Sequence, residues 1–288
     1  MSEKRARGID FYQRWQPNYL CQKFHDFVMI KVAEGNWVAE HSRVWEQAKK
    51  VPVKVAYIYL RSGISAKTHV DTILRATRNN SYQPDGYMVD FEKRGNTPSM
   101  QFGQIFKDTA ERLEGETGKR TLKYSNRSTV HEYLYWYGHR DWPKEDDNWV
   151  IAQYVFKKDS WGTPNALQFL KDVFDLTMWN AILPAGFMKP KFWQYSADGN
   201  NQGPLNGIGE YNAAGEGPAI DLQVFDGTRD QLLTYFNKEI AVPQPPEIVT
   251  PSPIEILTKP LELHSIDTGM FDGKKIQITY DVSIKEID

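Results

Sequence analysis

Short apolar runs rich in β-branched and aromatic residues recur along the 288-residue chain, separated by longer stretches with helical spacing. The runs at 8–11, 28–32, 53–60, 87–91, 121–124, 149–155, 192–195 and 220–224 predict eight strands. The clearest helix is expected over 98–114. There Phe102, Ile105, Phe106, Ala110 and Leu113 form one stripe, Pro98 takes the first turn and Thr97 is placed to cap it. A second helix is expected after Gly227, where Thr228 and Gln231 have capping-box spacing and Leu232, Leu233, Tyr235 and Phe236 supply the apolar face. Strands alternating with helices imply an α/β fold of the βα (TIM-like) barrel type. An open doubly wound sheet fits the alternation too, but no Gly-rich phosphate loop follows the first strand.

Past Ile240 the pattern stops. Prolines at 243, 245, 246, 251 and 253 mark a semi-rigid extended linker over 241–253. Beyond it, 254–266 and 275–284 alternate apolar and polar residues around Asp267-Thr268-Gly269 and Asp272-Gly273, which predicts a β-hairpin. The expected domains are therefore a barrel over 1–240, the linker, and a small hairpin extension over 254–288. So short an extension makes little core alone, so it is expected to dock on the barrel, on another copy of itself or on a virion partner.

Composition narrows the function classes. A formal net charge of −2 argues against a general nucleic-acid binder, since phosphate recognition needs a basic excess. The first ten residues are polar and run straight into the first strand. They leave no apolar stretch for a signal peptide or stable membrane insertion, so synthesis in the cytoplasm is expected. Cys21 is the sole cysteine, and the histidines at 25, 41, 69, 131, 139 and 264 lack metal-binding spacing, so neither a metal nor a cofactor is expected. The 9 Trp, 15 Tyr and 14 Phe suit either a large core or platforms on which sugars stack.

Against this background the run Gly86-Tyr87-Met88-Val89-Asp90-Phe91-Glu92 stands out. Side chains alternate along a strand, so Asp90 and Glu92 should share a face with Cα atoms about 6.5 to 7 Å apart. Two acids that close do not ionise alike, and one can hold a proton at neutral pH while its neighbour stays charged. Glycosidic bond cleavage needs such a pair.

Read in order, the strand ends are Gly8-Ile9-Asp10, Lys31-Val32-Ala33-Glu34-Gly35, Ala56-Tyr57-Ile58-Tyr59, Asp90-Phe91-Glu92, Lys123-Tyr124-Ser125, Ala152-Gln153-Tyr154, Trp193-Gln194-Tyr195-Ser196 and Ile220-Asp221-Leu222. This succession resembles family 25 of the glycoside hydrolases, the N-acetylmuramidase type of lysozyme found in bacteria and in phage endolysins. The resemblance spans roughly residues 8–240 and implies an irregular βα barrel. It also implies hydrolysis of the β-1,4 bond between N-acetylmuramic acid and N-acetylglucosamine in peptidoglycan glycan strands. Asp10, Asp90, Glu92 and Asp221 match the family's catalytic acids. By that match Glu92 is the general acid, and Asp90 either attacks the sugar or holds the substrate's own acetamide as it attacks; the second, with net retention, is favoured. Asp10 and Asp221 would orient substrate and add negative potential.

Tyr57, Tyr59, Tyr124, Trp193 and Tyr195 are candidates for lining the groove, with Gln153, Gln194 and Glu34 as polar partners. The chain departs from the family at Ile58, where histidine is usual, and at Ala33, where Ser or Thr is usual. The long connection over 156–191, with a helical pattern near 166–179, is expected to border the cleft.

The resemblance implies an enzyme that acts on the bacterial wall after release from the cell, or one carried in a virion. The competing reading is a non-catalytic glycan-binding or virion structural module on the same barrel. A chitinase-like hydrolase is disfavoured, because Asp85 lies five residues before Asp90 and position 88 is Met, so the longer D-x-x-D-x-D-x-E series is absent.

Overall fold

The computed structural model describes residues 4–11, 25–78, 82–92, 97–135, 148–154, 189–196 and 220–238, the strands at 267–271 and 274–277, and isolated positions 172 and 213. The chain divides into two units, Met1–Ala241 and Val242–Asp288. Cys21, the linker and the helical pattern near 166–179 fall outside the described residues, apart from position 172.

In the first unit the elements are β1 (Arg5–Phe11), β2 (Phe27–Glu34), β3 (Trp37–Val38), α1 (Ser42–Ala48), β4 (Val53–Tyr59), α2 (Ala66–Arg78), β5 (Gly86–Asp90), α3 (Ser99–Thr117) and β6 (Thr121–Asn126). Then follow α4 (Arg127–Val130), a π turn at His131–Tyr135, β7 (Trp149–Ala152), β8 (Phe192–Ser196), β9 (Asp221–Thr228) and α5 (Arg229–Tyr235). Eight strands in the order β1-β9-β8-β7-β6-β5-β4-β2 close into a barrel through the β1–β2 pair, and β3 extends β2 at its edge. The fold is the α/β barrel expected from the pattern.

Its irregularity is one reversed strand. β9 runs antiparallel to both β8 and β1, whereas the other barrel pairings are parallel. The first residue of β9, Asp221, therefore lies at the barrel end where the parallel strands finish. An apolar run carries no information on strand direction, which is why the sequence did not show this.

Alternation divides the core in two. Val28, Ile30, Ile58, Val89, Phe91, Ile151 and Trp193 face outward and pack with Val70, Ile73, Phe102 and Phe106 of α2 and α3. Phe27, Met29, Val55, Met88, Leu122, Val150, Phe192 and Phe225 fill the interior, together with Leu232, Leu233 and Phe236. Gly8 is required here, because a Cβ at that position would lie 2.3 Å from the ring of Phe27.

Helix α3 carries the expected buried stripe, and Gly118 ends it at φ 63° with its N–H donating to the Glu114 carbonyl at 2.8 Å. Its start differs from expectation. Pro98 occupies the capping position without a side-chain cap, and the Thr97 hydroxyl instead accepts from the Gly63 N–H at 2.9 Å, tying together the loops after β4 and β5. The capping box on α5 forms as read: the Thr228 hydroxyl accepts from the Gln231 N–H at 3.3 Å, and the Gln231 side chain accepts from the Thr228 N–H at 2.8 Å. Among the described residues no helix is long and apolar enough to cross a membrane.

In the second unit β10 (Asp267–Phe271) and β11 (Lys274–Gln277) pair antiparallel, with Phe271 opposite Lys274. The first strand starts where the sequence pattern suggested a turn, so the connection of the described hairpin falls at 272–273, one of the two turn signals.

Candidate active site

Two strand ends, those of β1 and β5, and one strand start, that of β9, bring the four acids to one end of the barrel. Asp10 points inward near the end of β1, 7% exposed, and Asp221 is its partner across the antiparallel β1–β9 pair. Asp90 ends β5, also 7% exposed, in register with Tyr59 on β4 and Tyr124 on β6. Glu92 lies just past β5 and lines an open cleft of about 710 Å³ with Asn126, Arg127, Ser128, His131, Ala152 and Tyr154.

The residue between the two acids sets their direction. The ring of Phe91 faces outward, stacked on Phe106 with centroids 4.5 Å apart and packed on Phe102 at 4.9 Å. Its N–H donates to the Tyr124 carbonyl at 3.0 Å, and its carbonyl accepts from the Ser125 hydroxyl at 2.7 Å. The chain thus stays extended past the last residue of β5, and the side chains on either side of Phe91 turn to the mouth.

Asp10 is held from two directions. One oxygen accepts from the Tyr57 hydroxyl at 3.1 Å and the other from the Gln223 amide at 3.3 Å. Burial pushes its carboxyl well above the usual range, and the charges of Asp221 and Glu92 push the same way, while Tyr57 and Lys31 oppose them. Asp90 is likewise driven well up, by burial first and then by Glu92, Asp10 and Asp221, against the pull of Lys31. The four acids therefore share one electrostatic field, in which full ionisation is unfavourable. Burial and the charges of Asp10, Asp90 and Asp221 raise the Tyr57 hydroxyl well above its ordinary value, so it remains a donor. Tyr59 is pushed up to about 12 by burial, Asp90 and Glu92, with Arg61 opposing.

Glu34 forms an ion-pair knot rather than a free groove acid. Burial acts to raise its carboxyl, but Lys31 and Arg61 outweigh burial and hold it below its ordinary value. The Arg61 Nε donates to Glu34 at 2.6 Å and Lys31 Nζ closes the other side. Both cations lie 5.0 Å from the ring centre of Tyr59.

Tyr57, Tyr59 and Tyr124 are on the acids' face, and so is Gln194, although it is fully buried opposite Gln223. Trp193 and Tyr195 are not. Trp193 is 0% exposed in the outer core, its indole N–H donating to the Gln153 carbonyl at 2.8 Å, and Tyr195 packs beside it at 6.2 Å. Gln153 shares the same one-residue offset: Ala152 and Tyr154, on either side of it, line the cleft. When both faces of a strand are buried, polarity does not tell which parity faces inward. Ile58 does face away from the mouth, as expected, within the outer core.

Tyr154, 49% exposed and hydrogen-bonded to Tyr124, and the group Asn126, Arg127, Ser128 and His131 belong to the cleft without having stood out in the sequence. A signal for the latter existed, since Asn126 after an apolar run is an N-cap residue. Its side chain accepts from the Thr129 N–H at 2.9 Å and starts α4 directly at the strand end. Among the described residues no group of three or more His, Cys, Asp or Glu side chains is arranged to hold a metal ion.

An inward-facing set of acids at the mouth of an α/β barrel, one of them open to a cleft, is the arrangement of a barrel glycoside hydrolase. The family model for glycosyl hydrolases family 25 matches residues 9–204, and the chain belongs to this family. It is 25% identical over 240 residues to YegX of Escherichia coli strain K12, an uncharacterized protein, covering 79% of this chain and 72% of that one. Solved structures share the fold. A family 25 glycosyl hydrolase from Bacillus anthracis has 19% identity and a TM-score of 0.55, covering 83% of this chain and 96% of its own. A lysozyme from Streptomyces coelicolor has 19% identity and a TM-score of 0.57, covering 81% and 97%. The catalytic domain of the endolysin ply40 from bacteriophage P40 of Listeria monocytogenes has 17% identity and a TM-score of 0.54, covering 80% and 98%.

Proposed function

We propose that this chain is a peptidoglycan hydrolase of the muramidase type, which cleaves the β-1,4 bond between N-acetylmuramic acid and N-acetylglucosamine. The observation that carries the reading is the unequal placement of the D-x-E pair. Glu92 opens onto the cleft while Asp90 is buried beneath it among Asp10, Tyr59 and Tyr124.

Glu92 gives its proton to the leaving glycosidic oxygen as the bond to the anomeric carbon breaks. Asp90 accepts a hydrogen bond from the N–H of the muramyl acetamide, whose carbonyl oxygen attacks the anomeric carbon and forms a cyclic intermediate. A carboxylate that binds a proton tightly also stabilises the positive charge developing on that nitrogen, and burial gives Asp90 this property. Glu92, now ionised, takes a proton from water as the water opens the intermediate, so the anomeric configuration is retained. Asp10, positioned by Tyr57 and Gln223, and Asp221 supply negative potential that favours keeping a proton within the cluster. Tyr59 and Tyr154 serve as the sugar-binding surface, with the buried Tyr124 holding Tyr154 through their hydrogen bond.

The likeness to a Listeria phage endolysin supports a lytic setting, in which the protein reaches the wall after release or aboard a virion. The unit from 242 onward is proposed to serve self-association or attachment to a virion; an unchanged mass by light scattering after its deletion would remove self-association.

The test is release of reducing ends from purified peptidoglycan. Glu92→Gln should abolish it with an unchanged circular dichroism spectrum. Walls that are bound but never solubilised by the unsubstituted protein would instead establish a binding module.

A further inference from the structure

One cation in the cleft of Glu92 has no task in the proposed bond cleavage. Arg127 lines the same cleft, is exposed, and makes no ion pair among the described residues. Two other cations near the acids, Lys31 and Arg61, are both engaged by Glu34. Nor does Arg127 stabilise its helix, because in the first turn of α4 a positive charge meets the positive pole of the peptide dipoles.

Its position is nonetheless well fixed. Asn126 caps the helix through the Thr129 N–H and also accepts from the Ser128 hydroxyl at 2.6 Å, while Thr129 and Val130 are buried. The His131 N–H donates to the Arg127 carbonyl, so these residues lie one turn apart on the face that meets the cleft. A guanidinium carried on a fixed stretch of backbone, in the cleft onto which Glu92 opens, fits one kind of ligand group. It offers a planar pair of donors to a carboxylate, and its charge offsets the repulsion an anionic substrate meets on approaching the acids.

We propose that Arg127, flanked by His131, binds a carboxylate carried by the muramyl residue of the glycan. This rests on the muramidase reading and adds a selectivity to it: glycans bearing a pendant carboxylate bind better than neutral ones of equal length. Two sources present this chemistry, the lactyl carboxyl itself and the carboxyls of an attached stem peptide.

The experiment is calorimetric titration of full-length Glu92→Gln protein, with and without Arg127→Gln. Three muramyl glycan probes are used: one with stem peptides, one stripped to the free lactyl carboxylate, and the stripped glycan with its carboxyls converted to neutral methylamides. Arg127→Gln should weaken binding of a carboxylate probe about tenfold and leave the methylamide probe unchanged. A loss confined to the stripped glycan assigns the lactyl group, and one confined to the peptide-bearing glycan assigns the stem. Equal loss on all three probes, or loss on none, overturns the inference while leaving the muramidase reading intact. Protein that binds none of the probes removes both.

Discussion

Asp10 and Asp221 stand directly opposite each other across the antiparallel β1–β9 pair, although 210 residues separate them in the chain. Like charges in facing positions destabilise a sheet. Here the cost is compounded by burial, which together with Asp221 drives the Asp10 carboxyl upward. A barrel selected for stability alone would not place them so, and the strain lies where the chemistry is expected.

Asp90→Asn is therefore expected to separate stability from activity. The folded-state pKa of Asp90 is raised, so its favourable contribution is full below the unfolded carboxylate value of about 4 and is lost as pH rises through the folded value. At pH 7 the substitution should raise the melting temperature while reducing kcat by at least about a hundredfold. Melting scans from pH 4 to pH 8 should show a shallower alkaline decline in the variant; an unchanged slope would contradict the burial argument.

His69 gives the opposite dependence. It is fully buried, its Nε2 accepts from the Arg61 N–H at 3.1 Å, and burial depresses its pKa to about 4. A depressed histidine loses its stabilising contribution as pH falls from the unfolded value near 6.5 towards the folded one. That contribution is on the order of 3 kcal/mol. His69→Gln should flatten the acid limb of a denaturation-versus-pH curve between pH 6.5 and 4.

Tyr154 and Trp193 should respond in different measurements. Removal of the exposed Tyr154 ring should raise KM by about tenfold, through lost stacking, with little change in denaturation midpoint. Trp193→Ala should cost about 3 to 5 kcal/mol in urea unfolding, and any change in activity should follow the folded fraction. Equal effects of both on KM would return Trp193 to the groove.

Phe91→Ala removes the ring clamped on Phe106 and Phe102. A loss of about 3 to 5 kcal/mol is expected. Because this ring orients the acids on either side, kcat measured on the folded fraction should also fall, whereas Phe106→Leu should affect mainly stability.

Much of this was legible beforehand for a physical reason. Barrel strands buried on both faces must be short, apolar and β-branched, so all eight were visible as runs, and the α3 stripe showed as helical spacing. Asp90 and Glu92 were legible because charge at the end of an apolar run is costly and therefore informative, whereas Asp10 and Asp221 stood out only through the family resemblance. The same double burial hid the parity of β8, where Trp193 and Gln194 look equally suited to a groove. The direction of β9 was hidden because pairing polarity depends on connections and closure. Thr97 misled through local logic: its hydroxyl found a better acceptor role towards Gly63 than towards its own helix.

Barrel closure joins the first strand to both the second and the last. The acid set thus draws on both the first and the last strand of the barrel, and a nascent chain that has not yet extruded residue 221 carries only three of its members. Under the proposed chemistry, catalytic competence waits until β9 has been made and has closed against β1.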